Sequence, residues 1–140
     1  MACCSAQKSP VTLSRNVLTI GEIERSTPFE KVDALYTIRE GQSTKDLILD
    51  DQALKVKVEG KGIVVISGCA HSVVIDTIQQ ALKLAEVKEI YVVAGGFNLV
   101  RADEERIKHT IEGLLQINHK HVAPCHCTGL NAACNLPKPF

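Results

Sequence analysis

Three short apolar runs, each followed at once by a string of glycine, cysteine, histidine or asparagine, constrain the fold of this chain most. The runs cover residues 63–66, 90–93 and 121–123, and each predicts a buried strand. The strings that follow them are Gly68-Cys69-Ala70-His71, Gly95-Gly96-Phe97-Asn98 and Pro124-Cys125-His126-Cys127-Thr128-Gly129. In an open α/β sheet, ligands and metals bind at the carboxyl ends of neighbouring strands. We therefore expect the polar side chains of the three strings to share one edge of a sheet.

The segments between these runs have helical periodicity. Apolar residues recur at helical spacing over residues 72–85 and 103–117, and a short helix is predicted over 130–134. Residues 53–58 alternate apolar with charged side chains, as in a strand with one wet face. Crossovers of this length favour parallel pairing, so we predict an α/β fold with a layered architecture.

The first 50 residues are less regular. Residues 17–20 and 35–38 are strand candidates, whereas residues 41–44 predict a loop. Residues 1–15 are mixed and polar and predict a flexible arm. We therefore expect an arm over 1–15 and a single domain over 16–140.

Composition excludes several classes of function. The chain has 140 residues, 45% of them hydrophobic, so it can bury a core. Its 16 basic and 16 acidic residues balance, and there is no Trp, which argues against a nucleic-acid partner. No apolar stretch approaches the roughly 20 residues that span a bilayer, so no membrane partner is expected. We predict a cytoplasmic protein.

The cysteines and histidines beside the predicted strand ends favour a metal site. Cytosolic thiols stay reduced, so Cys69, Cys125 and Cys127 are candidates for metal or reactive-thiol roles rather than disulfides. His71 and His126 follow different strands, and together they favour metal ligation over helix capping or hydrogen bonding to a backbone carbonyl. If residues 125–127 are extended, alternate side chains point to opposite faces, so either His126 or the two thiols face the site, but not both.

Two further segments complete a family pattern. They are Leu18-Thr19-Ile20-Gly21-Glu22-Ile23-Glu24-Arg25 and Ile48-Leu49-Asp50-Asp51-Gln52-Ala53-Leu54. With the strings ending in His71 and Gly129, they resemble the metallo-β-lactamase fold superfamily. Within it, the pattern is similar to the branch of 7,8-dihydropterin-6-methyl-4-(β-D-ribofuranosyl)-aminobenzene 5′-phosphate synthases. The resemblance runs from about Val17 to the end of the chain and covers only the C-terminal half of such a protein.

The resemblance implies an α/β fold that is half of an αββα sandwich: a mixed sheet covered by helices on one face. The other sheet face is then left to be covered by something else. It assigns metal ligation to His71 and His126, with zinc, manganese or iron as the metal. Asn98 stands where this branch usually has histidine, and an amide is a poorer ligand for a transition metal. The His-x-His-x-Asp-His motif of the superfamily has no copy in this sequence. We therefore expect metal binding by the isolated chain to be weak or absent.

Three interpretations stay open. The first is half of a metal-dependent hydrolase, inactive alone, in which a complementing N-terminal half supplies the missing motif and Asn98 acts in catalysis by orienting water or substrate. The second is a non-catalytic homodimer, a binding module or relic in which two copies pack their uncovered sheet faces together. The third is a small structural zinc or thiol site built from Cys69, His71, Cys125 and Cys127, although the spacing matches no recognised zinc-finger pattern.

Overall fold

The computed structural model describes residues 8–30 and 35–136. These residues form eight strands, three helices and one 3₁₀ turn. The strands are β1 (Thr12–Ser14), β2 (Val17–Thr19), β3 (Leu35–Arg39), β4 (Gln42–Asp46), β5 (Ala53–Val58), β6 (Gly62–Ser67), β7 (Ile90–Gly96) and β8 (His119–Cys125). The helices are α1 (Val74–Lys83), α2 (Glu104–Gln116) and α3 (Leu130–Asn135), and the 3₁₀ turn spans His126–Thr128. None of the helices described is long and apolar enough to cross a membrane.

Six of the strands form one mixed sheet in the order β1-β2-β5-β6-β7-β8. Strands β6, β7 and β8 are parallel to one another, and the remaining pairs are antiparallel. The crossovers through α1 and α2 advance in the same direction along the sheet. Because such crossovers are right-handed, both helices lie on the same face. The predicted mixed sheet with helices on one face is confirmed.

The core lies between this sheet face and the helices. Alternate residues of β6, Ile63 and Val65, are buried there, together with Val93 of β7. On the helix side, Ile78 of α1 and Leu114 of α2 are fully buried in the same cluster. The apolar residues that recur at helical spacing over 72–85 and 103–117 thus form the faces of α1 and α2 that pack on the sheet.

The opposite face of the sheet carries apolar residues that the helices do not cover. Strand register places six of them side by side, and we call this group the open face: Leu54, Val56, Val64, Ile66, Val92 and Ala94. Five are partly exposed, and Ile66 is 40% exposed. A parallel sheet is normally covered on both faces, so this sheet has one completed face and one uncompleted face.

Strands β3 and β4 form a separate antiparallel hairpin. The strand predicted over 35–38 is confirmed, but the loop predicted over 41–44 is wrong, because Gln42–Asp46 is β4. Polar residues fill β4, so no apolar alternation identifies it as a strand. Tyr36 and Ile38 share one face of this hairpin and are 66% and 77% exposed.

The N-terminal boundary also differs from expectation. Residues Thr12–Ser14, which the sequence assigned to a flexible arm, pair with β2 as the edge strand β1. All three are exposed, so backbone pairing rather than side-chain burial makes this strand, and periodicity cannot detect it. Residues 1–7 of the predicted arm lie outside the described residues.

The segment that precedes β3 is clamped to the amino end of α1. The buried Asp76 carboxylate accepts hydrogen bonds from the backbone N–H and hydroxyl groups of Ser26 and Thr27. The buried Glu30 carboxylate accepts in turn from the backbone N–H groups of Ile75 and Asp76. Helix N-termini favour negative charge, so two carboxylates hold this segment against α1.

Glu30 makes the fold sensitive to pH. The pKa of Glu30 is raised from 4.5 to about 7, chiefly by burial; the Asp76 charge also raises it, while the backbone hydrogen bonds and Arg106 act in the opposite direction. Between these two pH values the unfolded chain has released this proton and the folded chain still holds it. The contribution of Glu30 to stability is therefore lost as pH rises from about 4.5 to about 7.

We predict that Glu30→Gln removes this pH dependence. Relative to the variant, the wild type should lose up to about 3 kcal/mol of unfolding free energy between pH 4.5 and pH 7, and nothing further above that range. Urea denaturation of both proteins across this range measures the difference, and Glu40→Gln on the exposed β3–β4 turn is the control. A constant difference between wild type and Glu30→Gln would contradict the prediction.

Candidate metal centre

The loops after β6, β7 and β8 are joined to one another by hydrogen bonds. The Gly96 backbone N–H donates to the Gly68 carbonyl oxygen at 2.9 Å, which links the β7 end to the β6 loop. The Phe97 backbone N–H donates to the buried Thr128 hydroxyl at 3.1 Å, which links the β7 loop to the turn after β8. The three sequence strings therefore meet at one edge of the sheet, as predicted from their positions after the strands.

Each of these loops contains a non-glycine residue in the left-handed backbone region. The φ angles are 45° at Ala70, 52° at Asn98 and 22° at His126. Such conformations cost free energy and persist where the surrounding structure enforces them, often at functional sites. All three strands of the parallel part of the sheet thus end in a strained turn.

Two thiols and one imidazole converge between the loops. The Cys69 Sγ atom lies 3.0 Å from the His126 Nε2 atom. The Cys127 thiol donates to the Cys69 carbonyl oxygen at 3.4 Å. The Sγ atoms of Cys69 and Cys127 and a ring nitrogen of His126 all lie within 4.8 Å of one another, which is a spacing that one metal ion can bridge.

Gly96 provides the room for this group. A Cβ atom at Gly96 would lie 2.4 Å from the Cys127 Sγ atom and 2.7 Å from the His126 Nε2 atom. Both distances are shorter than any van der Waals contact. The glycine therefore allows the two ligand atoms to sit directly against the end of β7.

The surroundings of Cys127 favour its neutral thiol. Burial raises the pKa of the Cys127 thiol, and the neighbouring Cys69 raises it further, whereas a hydrogen bond from the Asn98 backbone opposes the shift. Metal binding deprotonates a coordinating thiol. Two neighbouring thiolates repel each other. A soft divalent ion that binds both thiolates and the imidazole would offset this repulsion.

The alternation expected over residues 125–127 is wrong. Cys125 ends β8, and the chain then turns into the 3₁₀ segment His126–Thr128, so alternate side chains no longer point to opposite faces. His126 and Cys127 consequently reach the same place. Cys125 instead lies on the other side of the imidazole, with its Sγ atom 3.3 Å from His126 Nδ1.

The other predicted residues occupy separate positions. His71 is not one of the three clustered residues; its Nδ1 atom is buried and, within residues 8–30 and 35–136, has no hydrogen-bond partner. Asn98 is buried, and its backbone carbonyl oxygen accepts from Arg106 at 3.2 Å. A metal role for His71 and a catalytic role for Asn98 stay predictions.

Sequence reasoning missed two residues, Arg25 and Asp51, that hold Ser72, the neighbour of His71, in place. The Asp51 carboxylate accepts the backbone N–H of Ser72 at 2.7 Å, directly after His71. The guanidinium of Arg25 lies 3.4 Å from the Ser72 hydroxyl and also donates to the Leu47 carbonyl oxygen. Arg25 and Asp51 belong to the two additional family-like segments, so those segments position the β6 loop.

We predict that the Thr128 hydroxyl holds the β7 and β8 loops together. Thr128→Val preserves the shape of the side chain but leaves the Phe97 N–H without its acceptor, which should cost about 2 kcal/mol of unfolding free energy. Thr128→Ser keeps the hydroxyl and is the control. Amide exchange of Phe97, measured by NMR, should accelerate in Thr128→Val only. Equal protection of Phe97 in the two variants would contradict the assignment.

Comparison with known proteins identifies relatives of this chain. No family model matches the chain. It is 34% identical over 129 residues to 7,8-dihydropterin-6-methyl-4-(β-D-ribofuranosyl)-aminobenzene-5′-phosphate synthase of Methanocaldococcus jannaschii, which covers 89% of this chain and 44% of the relative. An uncharacterized protein of the same organism is 29% identical over 129 residues, covering 92% of this chain and 46% of that protein.

A solved structure agrees with these relatives. The crystal structure of a metal-dependent hydrolase of the β-lactamase superfamily matches with a TM-score of 0.79 and 28% identity, over 89% of this chain and 48% of that protein. The chain therefore spans about half the length of each protein it matches. By sequence and by fold, the chain is related over about half of their length to proteins of the metallo-β-lactamase superfamily.

Proposed function

We propose that this chain is one half of a metal-dependent hydrolase and that a complementing half completes its active site. The observation that carries the proposal is the open face of the sheet. Two relatives and one solved structure of the superfamily are each about twice as long as the matched region. A second sheet of similar size, packed on the open face, would give the αββα sandwich that the resemblance implies.

Burial of the apolar open face would stabilise a complex with such a partner. The open face presents six aliphatic side chains, of which Ile66 is 40% exposed. At about 25 cal/mol per Å², covering roughly 400 Å² of apolar surface contributes about 10 kcal/mol. This is comparable to the whole stability of a small domain. Tyr36 and Ile38 on the β3–β4 hairpin add further exposed apolar surface.

The number of metal ligands that this chain offers also favours a complementing half that supplies further ligands. A catalytic zinc site commonly has three protein ligands and one open position. By resemblance, His71 and His126 are ligands of this chain, and the complementing half would supply His-x-His-x-Asp-His. Asn98 would orient water or substrate. The bound metal (zinc, manganese or iron) would activate a water molecule for hydrolysis.

A second candidate function is a non-catalytic homodimer. Asn98 favours it, because an amide replaces the expected histidine ligand and weakens a catalytic site. In this arrangement two copies pack their open faces around a two-fold axis. Either assembly belongs in the cytoplasm, because Cys69, Cys125 and Cys127 stay available beside the site only as reduced thiols.

We predict that the isolated chain does not hydrolyse phosphodiesters, and that it does so with zinc or manganese after addition of the complementing half. The part of the Methanocaldococcus jannaschii synthase that this chain does not match serves as that half. Hydrolysis of bis(p-nitrophenyl) phosphate and native mass spectrometry should report activity and a one-to-one complex together.

Substitutions on the sheet and on a helix test the surface. Ile66→Glu places a charge on the open face and should abolish the complex and the activity. Leu115→Glu is the matched control, because Leu115 lies on α2 and is exposed. A homodimer that Ile66→Glu dissociates would support the second candidate against the first. A wild-type monomer that forms neither assembly would contradict both.

A further inference from the structure

We propose that Cys69, His126 and Cys127 form a thiolate zinc site that this chain holds without any partner. The site goes beyond the proposed hydrolase function, since it requires neither a second half nor a catalytic step. It shares His126 with that function and adds two sulfur ligands. It differs from the third interpretation of the sequence, because it excludes Cys125 and does not require His71.

The distances suit zinc. Around a tetrahedral zinc ion, sulfur at about 2.3 Å and imidazole nitrogen at about 2.1 Å lie roughly 3.6 Å apart. Cys69 Sγ and His126 Nε2 are 3.0 Å apart, and the three ligand atoms lie within 4.8 Å of one another. An ion would therefore move Cys69 Sγ and His126 Nε2 apart by about 0.6 Å.

The backbone already holds the ligands in this arrangement. The N–H groups of Leu99 and Val100 both donate to the Cys127 carbonyl oxygen at 3.0 Å, which fixes the turn that carries two of the ligands. Gly96, directly beneath, leaves the space that a Cβ atom would fill. A preformed site loses less conformational entropy on binding than a flexible one.

Cys125 orients the imidazole. Its Sγ atom lies 3.3 Å from His126 Nδ1, on the side of the ring away from Cys69. Metal-bound histidines commonly use their second nitrogen for a hydrogen bond that fixes the ring and the tautomer. Cys125 in this position leaves Nε2 free to face the two thiols. It is a positioning residue and not a ligand.

The ligand types select the metal. Two thiolates and one imidazole favour zinc over manganese or magnesium, which prefer oxygen ligands. Three protein ligands leave a fourth position for water or for a group from a second half. Among the three metals considered for this chain, the ligand types therefore favour zinc over manganese.

Cobalt titration of the reduced chain tests the site. Co²⁺ replaces zinc, and its bonds to thiolates produce an intense near-ultraviolet charge-transfer absorption. We expect one Co²⁺ per chain, with Cys69→Ser and Cys127→Ser each losing about half of this absorption. Loss of one ligand should weaken zinc binding at least about 10-fold, the lower limit for removing an outer-shell partner. Cys134→Ser, on exposed α3, is the control and should match the wild type.

A second variant removes metal binding without removing a ligand. Gly96→Ala introduces a Cβ atom at 2.4 Å from Cys127 Sγ and should abolish the charge-transfer band, while circular dichroism confirms that the chain is folded. Cobalt bound without the band, or equal zinc affinity in Cys69→Ser, Cys127→Ser and Cys134→Ser, would overturn the inference.

The outcomes separate this inference from the proposed function. A thiolate band in the isolated chain, with no hydrolysis after addition of the complementing half, would leave the zinc site standing and remove the hydrolase proposal. Hydrolysis by the assembled halves, with no thiolate band in either state, would do the reverse.

Discussion

The register of β6, β7 and β8 is the constraint on which the rest of the structure depends. A shift of one residue in a strand would move its side chains to the opposite face. Parallel pairing from Val64–Val92 to Gly96–Cys125 brings the carboxyl ends of these three strands to one edge of the sheet. The hydrogen bond from Gly96 to Gly68 then closes that edge. The candidate metal centre lies in the three strained turns that directly follow these paired strands.

The two faces of the sheet are built to different degrees. On the helix side, Ile78 and Leu114 complete a buried core, and the Asp76 and Glu30 carboxylates tie the preceding segment to α1. On the other side, the open face remains partly exposed. The metal centre lies at the edge where both faces end, so a partner that covers the open face would also border the site. This geometry connects the proposed assembly to the proposed chemistry.

Sequence periodicity predicted the elements that bury apolar side chains, including β6, β7, α1 and α2. It failed for β1 and β4, because their pairing is made by the backbone and their residues are mostly polar and exposed. Because periodicity located the ends of the three strands, it correctly predicted that Cys69, His126 and Cys127 lie at one edge of the sheet. It could not show that the chain turns into a 3₁₀ segment at His126, and this turn decides which thiols face the imidazole. The role of Asp76 could not be predicted either, because its partners Ser26 and Thr27 are distant from it in sequence.

Three neighbouring strand ends bring two sulfurs and one imidazole nitrogen close enough together to bind a single ion. A crystal structure of the zinc-loaded, reduced chain, with an anomalous difference map at the zinc absorption edge, tests it most directly. We expect one strong peak at about 2.3 Å from the Sγ atoms of Cys69 and Cys127 and about 2.1 Å from His126 Nε2. A peak at His71 that neither sulfur reaches, or no peak at this edge of the sheet, would contradict it.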